Sequence, residues 1–152
     1  MAAIQVVAGR SIDAPADAVY ECLADFRRHA HFLPPAFSAF EIESGGKGAG
    51  TLVRFTVTAG GRRRDYRMQV SEPEPWVLVE SDTGSSLVTT FRVMPCGARA
   101  QVTIMTTWRG SGGIGGIFER MFAPRVMRAI YRDELERLNA YLCEDGEAIT
   151  AT

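Results

Sequence analysis

GSGGIG at residues 110–115 has the glycine spacing of a dinucleotide loop and lies between an extended and a helical pattern. That chemistry requires a βαβ unit with an acidic residue closing its second strand. No strand pattern follows Gly115, and the next acidic residues fall on a helix, so the segment reads as a mobile connection near a cavity mouth or as a plain loop. GGKGAGT (45–51) fails as a phosphate loop, because Glu41 takes the place of the first glycine and Gly follows Lys47. His29 and His31 in RRHAHFLPP have only Cys22 within reach along the chain; a metal site needs a third and a fourth ligand, so both are expected to be solvated turn residues. Cys96 is expected to be exposed in a hairpin turn, without a base to activate it. Arg62, Arg63 and Arg64 suggest an anion patch or a solvated hairpin tip. Sixteen of the seventeen basic residues are arginine, so any one arginine says little.

The elements that must position these groups follow from periodicity. Ile4–Ala8 is extended. Pro15 fits the first position of a helix, Asp17 favours its first turn, and Val19, Leu23 and Phe26 form one buried stripe. Residues 27–33 suggest a second short helix that Pro34-Pro35 ends. From about residue 37 to 109 the period is two. Phe40 and Ile42 mark one strand, followed by strands near 51–59, 62–72, 76–82, 86–94 and 99–109. Short turns between them imply an antiparallel meander. A Gly60-Gly61 turn sets Phe55 against Tyr66 and Val53 against Met68. A Pro73-Glu74 turn sets Val70 against Val77 and Met68 against Val79, with Glu80 outside, opposite Arg67. A Cys96-Gly97 turn sets Val93 against Ala100 and Phe91 against Val102. Met127, Tyr131, Leu135, Leu138 and Leu142 then form the apolar stripe of a long helix that Pro124 kinks or begins, and the tail after Cys143 is expected to fray.

Composition bounds the function. The chain suits one domain, 1–152, with an ordered core at about 3–143. A net charge of −1 gives no basic surface for nucleic acid, and no apolar run reaches the ~18 residues of a membrane span. No signal peptide is evident, and three scattered cysteines fit a reducing cytoplasm.

The order strand, two helices, six strands, long helix, with Ala14-Pro15-Ala16-Asp17, Val19-Tyr20, Leu23-Ala24-Asp25, Phe32-Leu33-Pro34 and Gly48-x-Gly50-Thr51, resembles the START-like or SRPBCC superfamily, also called helix-grip or Bet v 1-like. Within it the chain is most similar to small bacterial members of polyketide cyclase/dehydrase type, over residues 3–143. The resemblance implies an α+β fold in which a curved seven-stranded antiparallel sheet wraps the C-terminal helix around a hydrophobic cavity. Leu23–Asp25 followed by Phe32-Leu33-Pro34 is also similar to ubiquinone-binding members, with Pro35-Ala36 in place of their Trp-Cys.

The expected function is therefore binding, or transport, of a polyketide, lipid or quinone inside the fold, without a cofactor or metal. The expected lining is Phe55, Arg64, Tyr66, Met68, Val79, Thr89, Phe91, Ile104, Thr106, Trp108, Phe118 and Phe122, gated by Ile114–Phe122. Buried hydroxyls without partners cost about 1–3 kcal/mol each, so Tyr66, Ser81, Thr89 and Thr106 need one another, water or a ligand. A cyclase, aromatase or dehydrase is the alternative; it needs an acid–base group, and Tyr66 and Arg64 are the inward candidates, with no inward carboxylate or histidine expected. A quinone-binding chaperone or another protein-interaction role is the third reading.

Overall fold

The computed structural model describes residues 3–109 and 113–150, with side chains described for 3–109 and 124–144. The elements are β1 (Ala3–Ile12), α1 (Ala16–Ala24), a 3-10 helix (Phe26–His31), β2 (Phe37–Ser44), β3 (Leu52–Ala59), β4 (Arg62–Glu74), β5 (Val77–Asp82), β6 (Val88–Cys96), β7 (Arg99–Arg109) and α2 (Gly113–Thr150). The strands form one antiparallel sheet in the order β1-β7-β6-β5-β4-β3-β2. It is the helix-grip architecture expected, with a curved sheet around the C-terminal helix.

Each face of the sheet is set by alternation. Val6, Ala8 and Ile12 of β1, Val53 and Val57 of β3, Met68 and Val70 of β4, and Val102 and Ile104 of β7 are buried on one side. Leu135, Leu138 and Leu142 of α2 pack into that core. The helix contributes Ile130 and Tyr131 as well. It continues through Pro124 and on past Cys143 to Thr150, where a frayed tail was expected.

The two short helices plug one end. Pro15 is the residue before the first helical turn rather than within it, with φ −61° and ψ 149°, and its carbonyl accepts from the Val19 amide at 3.0 Å. Asp25 ends α1 and starts the 3-10 helix, its carboxylate accepting from the Arg27 amide at 3.2 Å. This corner is tied to the β2–β3 loop: the Phe26 amide donates to Gly46 O and the Gly48 amide to Ala24 O, both at 2.9 Å. Gly48 has φ 66°, and a Cβ there would lie 2.8 Å from Glu72 Oε2. The positive φ favours glycine here, and any Cβ would also make the Glu72 carboxylate give way.

Two of the three strand registers differ from the expected ones. Gly60-Gly61 does join β3 to β4, with φ 58° and 74°, and Phe55 pairs with Tyr66. The β6–β7 turn is Gly97-Ala98, so Val93 pairs with Val102 and Phe91 with Ile104; this shift by two preserves the faces. The β4–β5 turn is Pro75-Trp76, and an irregularity lies between Ser71 and Glu74. Val70 therefore pairs with Glu80, Ser71 with Val79 and Met68 with Asp82. A slip of three residues inverts β5: Leu78 and Glu80 face the core, while Val79 and Ser81 face out. The turn was illegible because Trp76, not a glycine, takes φ 68°, where its ring packs edge-on against Tyr20 at 5.9 Å.

The inversion is directly testable. Leu78→Ala should cost about 2–5 kcal/mol in urea unfolding, as for a fully buried leucine. Val79→Thr should cost about 1 kcal/mol or less, since it faces outward. The opposite ranking would restore the expected register.

Candidate functional site: a cavity with two buried carboxyls

Between sheet and helix lies a cavity lined by apolar side chains from four regions. Leu33 comes from the plug side, Phe37, Phe40, Phe55 and Val57 from β2 and β3, Met68, Leu87 and Phe91 from the sheet floor, and Met127 from α2. The centres of water-sized spheres can occupy about 40 Å³ of it. A single water needs ~10–15 Å³ on this measure, so the space admits a few waters. It is much tighter than the ~300–1,000 Å³ of a typical small-molecule site.

Its polar lining is unusual. Glu80 of β5 and Glu134 of α2 both enter the wall, and they are only 7% and 4% exposed. Burial pushes the Glu80 carboxyl up to about 7. Burial, then the nearby Glu80 and Asp133, push Glu134 up to about 8. Among the described residues no Lys or Arg lines the cavity, and no hydrogen-bond or ion-pair partner meets either carboxyl. An inward carboxylate was not expected; two are present.

A chain of hydroxyls runs beside them. Thr89 Oγ1 and Thr106 Oγ1 are 2.8 Å apart, and Thr106 Oγ1 is 2.5 Å from the Tyr131 hydroxyl. Thr89 is the cross-strand partner of Glu80, and Tyr131 precedes Glu134 by one helical turn. Glu80, Thr89, Thr106, Tyr131 and Glu134 thus form a polar belt across three strands and the helix. Three hydroxyls carry three protons for two bonds, so one proton remains to offer the neighbouring groups. Burial holds the Tyr131 phenol above its ordinary range, so it stays a donor at neutral pH.

His29 is also part of the wall, not a solvated turn residue. It is 3% exposed and stacks on Phe26 at 4.3 Å. The three-residue period of the 3-10 helix puts Phe26, His29 and Phe32 on one face. Its Nε2 lies 2.7 Å from Leu23 O, and burial lowers its pKa to about 4. The ring is therefore neutral near pH 7, donates from Nε2 to that carbonyl and keeps Nδ1 as an acceptor. His31 is exposed and stacks on Tyr141 at 5.2 Å.

The expected lining residues divide as follows. Phe55, Tyr66, Met68, Thr89 and Phe91 line the cavity together. Ile104 is fully buried in the core, Thr106 is buried in the hydroxyl chain, and Trp108 is half-buried opposite Ile4, none of them at the wall. Val79 is on the outer face of β5, for the register reason above. Arg64 is exposed, its guanidinium 6.0 Å from the Tyr66 ring centre, beside an open groove that shares Phe40, Phe55 and Tyr66 with the cavity. Phe118, Phe122 and the side chains of the Ile114–Phe122 gate lie outside the described residues. Among the described residues no group of three or more His, Cys, Asp or Glu could hold a metal ion, and no helix is long and apolar enough to cross a membrane.

A curved antiparallel sheet gripping a C-terminal helix, with a cavity between them, defines a START-like, Bet v 1-like protein. Residues 3–142 match the family model described as polyketide cyclase / dehydrase and lipid transport, and the chain belongs to that family. The solution structure of KanY protein is similar, at 32% identity and TM-score 0.83, covering 93% of this chain and 98% of that one. The Zhui aromatase/cyclase from Streptomyces sp. R1128 is similar at 20% identity and TM-score 0.75, covering 92% and 93%. A START superfamily protein from Mycobacterium smegmatis is similar at 14% identity and TM-score 0.74, covering 91% and 98%. The last two likenesses speak to the fold alone. No curated protein matches the chain in sequence.

The buried acids predict a pH dependence of stability. Both carboxyls have raised folded pKa values, so the native state keeps protons that the unfolded chain has released. Their contribution is full below about 4.5 and is lost as pH rises through 7 and 8. His29 acts oppositely: its lowered value means stability is lost as pH falls from 6.5 towards 4. Melting temperature should therefore peak on the acid side of neutrality and fall towards pH 8.5. The alkaline fall should largely vanish in Glu80→Gln/Glu134→Gln, and an unchanged fall in that variant would refute the burial.

Proposed function

We propose that the protein binds a hydrophobic small molecule of the polycyclic ketone, polyketide or quinone class between sheet and helix, with a polar edge of the ligand against Glu80 and Glu134. The observation carrying this reading is an aromatic-walled cavity that contains two carboxyls with no protein partner among the described residues. Phe37, Phe40, Phe55 and Phe91 supply flat apolar surface for a ring system. Each carboxyl supplies one hydrogen-bond donor while protonated and further acceptor sites, which suits oxygen functions on such a ring.

The cavity as it stands is too small for such a ligand, so binding enlarges it. Met127 and Leu33 are the side chains best suited to yield, since both are incompletely buried and a methionine re-packs at low cost. Membership of a family described as including cyclases, dehydrases and lipid transport supports a ligand of this kind without choosing among them.

The cyclase or dehydrase reading gains over simple carriage from one specific observation. Acid–base work on a carbonyl needs a proton donor and a base near pH 7 in a dry site, and the two carboxyls meet that requirement.

A panel of tetralones, anthrones, naphthoquinones and fatty acids tests the binding reading by thermal shift and native mass spectrometry. A true ligand at 100 times its Kd should add about 2.7 kcal/mol of stability. The polycyclic oxygenated compounds are expected to shift melting and the saturated fatty acids to do so weakly. No shift from any aromatic ketone or quinone would overturn the proposal.

A further inference from the structure

We propose that Glu80 and Glu134 form a pH-sensitive closure: while the pair holds protons, the segment of α2 from Pro124 to Glu134 stays seated on the sheet, and when both carboxyls are charged that segment lifts away. The device belongs to the empty protein and does not depend on which ligand the cavity takes.

Both carboxyls line one cavity with room for a few waters, one from β5 and one from α2. They stand on separate bodies, so repulsion between them acts across the sheet–helix contact. Glu80 cannot turn away, because pairing with Val70 and Thr89 fixes its face of the sheet. Glu134 leaves only with its helix. That helix is held unevenly. Leu135 and Leu138 are almost fully buried, and Asn139 Oδ1 accepts from the Asp13 amide at 2.8 Å. One turn further on, Arg28 Nε donates to the Tyr141 hydroxyl at 3.2 Å. Towards the other end the hold is looser. Val126 and Met127 are half-buried, Arg128 Nε lies 3.4 Å from Val7 O, and Pro124 brings no amide hydrogen to the helical ladder. The Tyr131–Thr106 hydroxyl bond ties this segment to the sheet at cavity depth. A lift therefore pivots at Leu135–Asn139, and Pro124 supplies a second bend.

Among the described residues no countercharge faces the pair. The 3-10 helix presents His29, neutral near pH 7, β4 presents the Tyr66 phenol, and β6 presents Thr89. β7 presents Thr106, and α2 presents Tyr131, a phenol that burial keeps protonated. Asp133, beside Glu134 on the helix, pairs with Arg137 at 3.1 Å. Arg10 of β1 reaches Glu136 at 3.9 Å, and neither it nor Arg128 lines the cavity. Two like charges in so small an apolar space are therefore relieved only by water, and more water requires more room.

The direction follows from linkage. Opening returns the carboxyls to water, where their ordinary value is 4.5, whereas the closed cavity holds the pair's protons up to between about 7 and 8. Opening thus releases protons across that interval, and rising pH favours it about tenfold per pH unit for each proton released. His29, lowered to about 4, stays neutral throughout most of it and does not oppose the trend.

The test is amide hydrogen exchange of the full chain, read by mass spectrometry at about pH 5.5 and about pH 8.5 and corrected for the intrinsic rate. Peptides from 124–134 should exchange at least ~10-fold faster at the higher pH, while those from β6 and β7 change little. Glu80→Gln/Glu134→Gln should abolish the difference. Melting temperatures check folding, and where the double variant does not melt cooperatively Glu134→Gln takes its place. A helix rate independent of pH, an equal rise in β6 and β7, or an undiminished rise in the variant would each overturn the closure.

Discussion

Two carboxyls buried where no described residue neutralises them are the constraint around which this interior is organised. Burying an unpaired carboxylate is costly, so the groups hold protons into the neutral range instead. That response works only while bulk water is kept out. Leu135 and Leu138 below, the sheet floor around Met68 and Phe91, and the plug of Phe26 and Phe32 supply the exclusion. Each apolar contact near the cavity thus acts on the protonation of the site as well as on stability.

The fold holds the two acids on separate bodies. Glu80 belongs to a sheet in which β5 is paired on both sides, with Glu80 itself opposite Val70 of β4 and Thr89 of β6. Glu134 belongs to a helix that meets the sheet chiefly along β1, where Asn139 Oδ1 accepts from the Asp13 amide at 2.8 Å. The Tyr131–Thr106 bond is the polar link between the two bodies at cavity depth. The short helices form a third body, joined through the Asp25–Lys47 bridge and the tight passage of Gly48 over Glu72. Changing the cavity's volume therefore means moving the plug or the helix against the sheet, not bending the sheet itself.

Much of this was legible from the residues alone. The element order, the β3–β4 register and the helix stripe of Tyr131, Leu135, Leu138 and Leu142 follow from periodicity and from glycines at positive φ. The two acids were not. Glu80 was lost because the β4–β5 turn uses Trp76 in a conformation that side-chain preferences assign to glycine, and an odd slip exchanges Val79 with Glu80. Glu134 was lost because an apolar stripe is traced by its apolar members, although its position, three after Tyr131 and four before Leu138, lies on that stripe. His29 looked solvated among arginines, yet the three-residue period shared with Phe26 and Phe32 was available to place it. In each case a polar residue occupies a position whose geometry says interior and whose chemistry says surface; such conflicts are where function is expected to concentrate.

The hydroxyls on the inner face carried the expectation that the interior needs a ligand, and they do not support it. Thr89, Thr106 and Tyr131 bond one another and leave a single proton over, so they make little demand of their own. The demand passes to the carboxyls, and it is a more selective one. A space that admits a few waters lets those waters solvate Glu80 and Glu134. Any ligand that displaces them must replace their hydrogen bonds or forfeit affinity. A plain hydrocarbon chain cannot do this, whereas a ring bearing a carbonyl or hydroxyl can. On the proposed binding reading, buried acids act against simple lipids as well as in favour of oxygenated rings, and the specificity of the cavity would then rest as much on what its carboxyls reject as on what its aromatic walls attract.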